Sequence, residues 1–106
     1  MSTVGVFTNM IHDLPLNAKI NFIINGVNYF ANSISLIQNS YIQITLLPRD
    51  PSQKYLNDIT QLITQNNLDN NVHIYITYIG YRHIIDIVDI SLLSNDGIIR
   101  FHLVRS

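Results

Sequence analysis

The residues best suited to chemistry are four histidines, His12, His73, His83 and His102, and seven acids, every one of them Asp. No two histidines have the spacing of a helical metal pair. His73, His83 and His102 fall on three predicted strands, and three imidazoles converging from neighbouring strands would suit zinc. The plainer reading is three half-exposed strand residues, so no metal and no cofactor is expected. Asp86 and Asp89 could divide acid and base roles between them. A spacing of three sets them on opposite faces of a regular strand, and only a bulge would reunite them. His12 beside Asp13 offers a dyad, but neighbours in an extended chain point apart. The glycines Gly5, Gly26, Gly80 and Gly97 stand alone, so no loop cradles a phosphate. Cysteine is absent, which excludes thiolate metal sites and a disulfide framework. With no nucleophile–base pair visible in the sequence, the reading is a protein that is not an enzyme.

The chain has 106 residues, 47% hydrophobic and only 12% charged, with a net charge of -1. Such a composition excludes intrinsic disorder. It also argues against a dedicated nucleic-acid binder, which needs a basic face. Nineteen Ile favour strands and thirteen Asn suit turns. The start Met1-Ser2-Thr3-Val4-Gly5 lacks the basic and apolar stretches of a signal peptide. No apolar run approaches the ~20 residues that span a membrane.

The elements that must position these side chains are mostly strands. Ala18, Ile20, Phe22 and Ile24 alternate with Lys19, Asn21, Ile23 and Asn25, and Asn25-Gly26 supplies the two positive-φ positions of a type I′ hairpin turn into Val27–Phe30. Ser33–Ile37 and Tyr41–Leu47 follow as strands around a turn at Gln38-Asn39-Ser40. The second has Ile42, Ile44 and Leu46 inward. One helix is predicted over about residues 52–66, with Ser52 as N-cap, an apolar stripe of Tyr55, Leu56, Ile59, Leu62 and Ile63, and a stop at Asn66-Asn67. Three strands close the chain. Val72–Ile79 ends at a Gly80 turn. Arg82–Leu93 changes phase near Ile87-Val88, which implies a bulge. Asn95-Asp96-Gly97 turns into a last strand with Ile99, Phe101 and Leu103 inward. One helix cannot cover both faces of so many strands. The fold class is therefore mainly β (α+β), a small, partly open antiparallel barrel of about six strands with one helix, spanning residues 17–106.

Residues 1–16 read as an N-terminal arm or edge, because Pro15 cannot join a ladder. The arm carries Val4, Val6, Phe7, Met10, Ile11, Leu14 and Leu16, too much apolar surface for a free tail. Ile23, Ile37, Tyr75, Ile79, Ile84 and Val104 fall on faces that would otherwise be solvated. Surplus apolar surface of this kind, with edge strands lacking Lys, points to a subunit that lives against partners. The interface residues expected are Val4, Val6, Phe7, Met10, Ile11, Leu14, Leu16, Ile23, Tyr75, Ile79 and Ile84. The aromatics Phe22, Tyr29, Phe30, Tyr41, Tyr75, Tyr78, Tyr81 and Phe101 raise a second possibility, base stacking on an OB-type barrel, but the basic residues are few and scattered.

From about Asn17 to Arg105 the layout resembles the split-barrel module of phage-tail and contractile-injection baseplate hubs and tail tubes. The resemblance rests on the hairpin Ile24-Asn25-Gly26-Val27-Asn28-Tyr29, the strand Tyr41–Leu46 leading to a helix, the strand Val72–Gly80, and the bent strand Ile84–Leu92 followed by Asn95-Asp96-Gly97 and Ile98–Val104. It departs at Ile85-Asp86, where hubs often place a glycine. The resemblance implies a non-enzymatic structural subunit of a viral particle or tail-like assembly, located in a virion or host cytoplasm. Its partners would be copies of itself or other protein subunits, with no membrane and no small-molecule substrate. The polar faces bearing Gln43, Thr45, His73, Thr77, Arg100 and His102 would meet a second ring or line a lumen. The alternative is a small phage-encoded regulator that binds a host protein, and the third is the OB-like binder of single strands.

Overall fold

The chain opens in a helix where the sequence suggested an extended arm. The structure, a computed structural model, describes residues 3–49, 53–78, 81–83, 85–92 and 96–105; at 81–83, 85–89, 92 and 105 it describes the backbone alone. Helix α1 (Val4–Ile11) is capped by Thr3, whose hydroxyl oxygen accepts the Val6 amide at 3.3 Å. Val4, Phe7 and Ile11 recur at i, i+3 and i+7, and all three are buried. The strand-like alternation of Val4, Val6 and Thr8 loses to this helical stripe, because the stripe buries Phe7 against Phe101, with ring centroids 5.7 Å apart. The amides of Val4 and Gly5 donate to the carbonyls of Val72 and Asn70 at 2.8 and 3.1 Å. A Cβ at Gly5 would stand 3.0 Å from Asn70 Cβ, so glycine permits this close approach. Residues 4–11 thus belong to the folded domain rather than to an arm reaching out of it.

Strands β1 (Ile20–Ile24) and β2 (Val27–Ile37) pair around Asn25-Gly26, whose φ values of 52° and 77° are those of the expected turn. A second tight turn, with Gln38 and Asn39 at φ 50° and 55°, leads to β3 (Tyr41–Leu47). Helix α2 (Leu56–Gln65) crosses over to β4 (His73–Tyr78), followed by β5 (Tyr81–His83), β6 (Ile85–Leu92) and β7 (Ile99–Arg105). The strands form one sheet in the order β5-β4-β3-β2-β1-β7-β6. It is an open half-barrel rather than a closed one.

Two expectations are corrected here. The sheet is mixed, since β3 runs parallel to β4 and β1 parallel to β7. A helical crossover such as α2 returns the chain in the same direction, whereas only tight turns enforce antiparallel neighbours. Among the described residues there are also two helices, not one, and both bury their apolar stripes in a single cluster with the strands. The N-cap of helix α2 is Tyr55 rather than Ser52, which lies outside the described residues. Asp58 accepts the Tyr55 amide at 2.7 Å. The stop at Asn66-Asn67 is as expected: Asn67 adopts φ 49°, and the amides of Asn67 and Leu68 return to the carbonyls of Thr64 and Ile63. That is a Schellman close with Asn in the left-handed position.

Bulges keep the two sheet faces distinct. In β6 the register shifts between Ile87 and Asp89, where the sequence changes phase. Ile87 therefore pairs with Leu103 and Ile90 with Phe101, both core positions. In β2 a shift between Ala31 and Ser33 does the same for Tyr29 and Ala31 on one side and Ile34 and Leu36 on the other. Without these extra residues each strand would turn half of its apolar set outward.

Candidate functional site

The helices cover one face of the sheet, and no described element packs on the other. That outer face is built by alternation. On β3 the buried Ile42, Ile44 and Leu46 point to the core, so Tyr41, Gln43 and Thr45 point away. Pairing in register aligns them with His73, Tyr75 and Thr77 of β4, and with Ile37, Ser35 and Ser33 of β2. Tyr41 and Tyr75 meet edge to face at 5.0 Å, His73 lies 5.8 Å from Tyr75, and the Thr77 hydroxyl reaches the Thr45 oxygen at 3.3 Å. The result is a patch of aromatic and neutral polar side chains on β2, β3 and β4, with Arg82 of β5 next in register beyond Thr77.

The other end of the same face, on β1, β7 and β6, is more polar. Asn21, Arg100 and Ser91 stand in one register row, and Ile23, His102 and Asp89 in the next. The Ser91 hydroxyl and His102 Nε2 are 2.9 Å apart. Arg100 Nη2 holds Asp96 Oδ2 at 3.0 Å. The Ile98 amide and then Arg100 bind that carboxylate and lower its pKa below the ordinary Asp value. Asn21 is the one polar residue counted as buried among the described residues, at 5% exposure. Its Oδ1 and the Nη1 of Arg100 are both buried without a hydrogen-bond partner. Each such group costs about 1–3 kcal/mol.

The structure sorts the sequence candidates plainly. Val4, Phe7 and Ile11, expected at an interface, spend their apolar surface inside the chain. Met10 and Leu14 are partly buried against the same core. Val6 and Leu16 remain exposed, at 48% and 49%, on the helix side. Ile23 and Tyr75 lie half-buried on the outer face. Ile79 and Ile84 are outside the described residues. The other large exposed apolar side chains among the described residues are Val27, Leu47, Tyr55 and Val104, on β2, on β3, at the start of α2 and on β7. Phe22 and Phe101 stack in the core at 5.2 Å, and Tyr29 meets Tyr78 there at 5.5 Å, so these four cannot serve as a stacking platform.

The metal reading also separates. His102 is on β7, with β3, β2 and β1 between it and the His73 strand. Among the described residues no cluster of potential metal ligands forms. The bulge sets Asp86 and Asp89 at register positions opposite Val104 and His102, positions that alternate to the same face of β7. His12 and Asp13 meet at 3.1 Å, against the expectation that they diverge, because they sit in the turn after α1 rather than in extended chain. Both are largely solvated, at 69% and 84% side-chain exposure, so the pair contributes little.

Sequence reasoning missed the Ser91–His102 contact, which depends on a register no local pattern reveals. An acyl-transfer site needs, besides nucleophile and base, donors aimed at the developing oxyanion. Strand β7 is paired on both sides, so its amides are committed to the ladders. The contact therefore reads as a cross-strand hydrogen bond. Two clefts lie elsewhere. An apolar one of about 230 Å³ between α1 and α2 is lined by Thr8, Ile11, His12, Leu16, Thr60, Ile63 and Thr64. A polar one of about 320 Å³ joins Asn32, Ser33 and Ile34 at the β2 bulge to Lys54 and Asp58. In the first, the His12 ring nitrogens are engaged locally, Nδ1 at 3.1 Å from the Asn9 carbonyl and Nε2 at 3.1 Å from Asp13. Among the described residues no helix is long and apolar enough to cross a membrane.

No family model, curated protein or solved structure matches the chain. The likeness to tail and baseplate split barrels rests on the sequence layout alone.

Proposed function

We propose that the chain is a non-enzymatic assembly subunit that packs against copies of itself through the outer sheet face. The observation that carries this is the contiguous patch Tyr41, Gln43, Thr45, His73, Tyr75 and Thr77, which no described element covers. Tyr with small neutral polar residues gives large contact area at low entropic cost together with adaptable hydrogen bonding. Hydroxyls and amides both donate and accept, so such a patch can pair with its own copy. None of these six residues carries a fixed charge, and Arg82 stands opposite Thr77 at the β5 margin of the patch.

The sheet edges favour the same choice. Strand β5 has three residues, and β6 carries a bulge with Asp86 and Asp89. Short strands, bulges and charges are the devices that discourage edge pairing, so the face is the better docking surface. A place in a phage particle or tail-like assembly is the particular form of this reading, supported by the strand and turn layout of residues 17–105. Native mass spectrometry of the wild type and of Thr45→Lys tests it. Oligomers that revert to monomers in the variant are expected. A wild type that stays monomeric when concentrated would overturn the reading.

A further inference from the structure

We propose that the cleft between α1 and α2 is a binding site for a small uncharged hydrophobe, a ring with a short substituent carrying at most a single hydroxyl. Two helix faces of the same make line it. Thr8, Ile11 and His12 on the α1 side, and Thr60, Ile63 and Thr64 on α2, each fall at i, i+3 and i+4, and Leu16 completes the lining. Backbone hydrogen bonds hold the helices at this spacing. At one end Val4 and Gly5 of α1 donate to Val72 and Asn70 in the segment after α2, at 2.8 and 3.1 Å. At the other, Leu56 and Asn57 of α2 donate to Ala18 and Leu16 in the segment after α1, at 2.9 and 2.8 Å. The cleft of about 230 Å³ is therefore preformed, because neither helix can close on the other without breaking a tie.

Most polar groups of the lining are already engaged. The Thr60 hydroxyl donates to the Asn57 carbonyl at 3.3 Å and the Thr64 hydroxyl to the Thr60 carbonyl at 3.1 Å, which leaves their methyls to the cleft. The Asn9 carbonyl and Asp13 take up the two His12 nitrogens, each at 3.1 Å. Thr8, exposed at the rim, keeps the one lining hydroxyl that bonds no other described residue. A held water needs about two to four polar partners, which this lining does not offer. A charged ligand would leave its hydration for walls without a fixed counter-charge. Each helix contributes a single turn, about 6 Å of length, too short for the i, i+4 and i+7 anchors of a docked helix. What fits is a single apolar body. A dry cavity of about 150 Å³ takes benzene, so this volume takes a substituted ring, with its hydroxyl at Thr8. The cleft lies in the helix layer, across the sheet from the docking face, so its ligand and a docked copy do not compete.

The test is a methyl NMR titration of the full chain with benzyl alcohol and benzoate, read at the δ1 methyls of Ile11 and Ile63. Saturable shifts of both methyls with benzyl alcohol are expected, at a Kd of about 1 mM, with benzoate about tenfold weaker or more. Thr64→Leu and Thr8→Leu fill the cleft from α2 and from α1, at exposed helical positions where Leu is well tolerated. Each should weaken benzyl alcohol about tenfold or more. Gln61→Leu, also exposed on α2 but outside the lining, should stay within about twofold. Thr45→Lys, on the other face, should leave the response intact whatever becomes of self-association. Benzoate binding as well as benzyl alcohol, no shift at either methyl, or a response unchanged in both filling variants would overturn the proposal. So would Ile11 and Ile63 shifts that follow protein concentration without ligand, because a second copy would then be the occupant.

Discussion

The two faces of the sheet are made from the same strands yet differ in what they offer. On the inner face Ile20, Phe22, Ile42, Ile44, Leu46, Ile74, Ile76, Ile99 and Phe101 are all within 1% of full burial, sealed by α1 and α2. On the outer face the alternating residues are mostly Tyr, Thr, Ser, Gln, His and Arg, with Ile23 and Ile37 among them; most are half-buried by their neighbours, and Asn21 is buried. The inner face holds the fold together without chemical specificity. The outer face carries hydrogen-bonding variety and contributes little to stability. The comparison teaches that strand alternation, corrected by two bulges, divides the labour of folding and recognition between odd and even positions of one sheet.

The sharpest way to break this division is at Phe101, which stacks on Phe22 and touches Phe7. Phe101→Ala should cost about 3–5 kcal/mol in denaturant unfolding. The matched outer-face change, Thr45→Lys, should stay within about 0.5 kcal/mol while abolishing self-association. Next in size is deletion of Val88, the residue that the register shift of β6 accommodates. Removing it puts the halves of β6 out of phase, so Asp86 or Asp89 must take a core position. Accelerated amide exchange along β6 and β7, with β3 and β4 unchanged, is the expected outcome.

Much of this division was legible in the sequence. Strand β3 and the Asn25-Gly26 turn follow from strict alternation and from residues that tolerate positive φ. The Ile87-Val88 phase change marked the β6 bulge, because a two-residue period leaves no other way to keep Ile87 and Ile90 on one side. Helix α1 was illegible as a helix because Val4 and Val6 mimic a strand over three residues. The signal that would have found it is Thr3 as cap with Val4, Phe7 and Ile11 in a stripe. The parallel pairs could not be read locally, since β1 meets β7 only after the whole chain has folded. The polar row at Asn21, Arg100 and Ser91 was hidden for the same reason: its members come from three strands, and nothing in the alternation around Asn21 announces that its side chain is buried.

The smallest effect expected is electrostatic, at the rim of the outer face. Hydrogen bonds from the Ile98 amide and Arg100 lower the Asp96 pKa. A lowered folded value means that Asp96 contributes stability above the ordinary Asp value of about 3.9, lost as pH falls through the lower folded value. The urea midpoint of the wild type should therefore fall slightly more than that of Asp96→Asn on acidification through this range. Asp96 is solvated, so the difference is modest.

Concentration-dependent hydroxyl-radical footprinting tests the central claim most directly, because it reports which face is covered. Protection of Tyr41 and Tyr75 should rise with protein concentration, while Tyr55, 40% exposed beside α2, stays constant. Protection that grows at Tyr55, Val6 and Leu16 instead, or at none of these residues, would contradict an outer face built for docking.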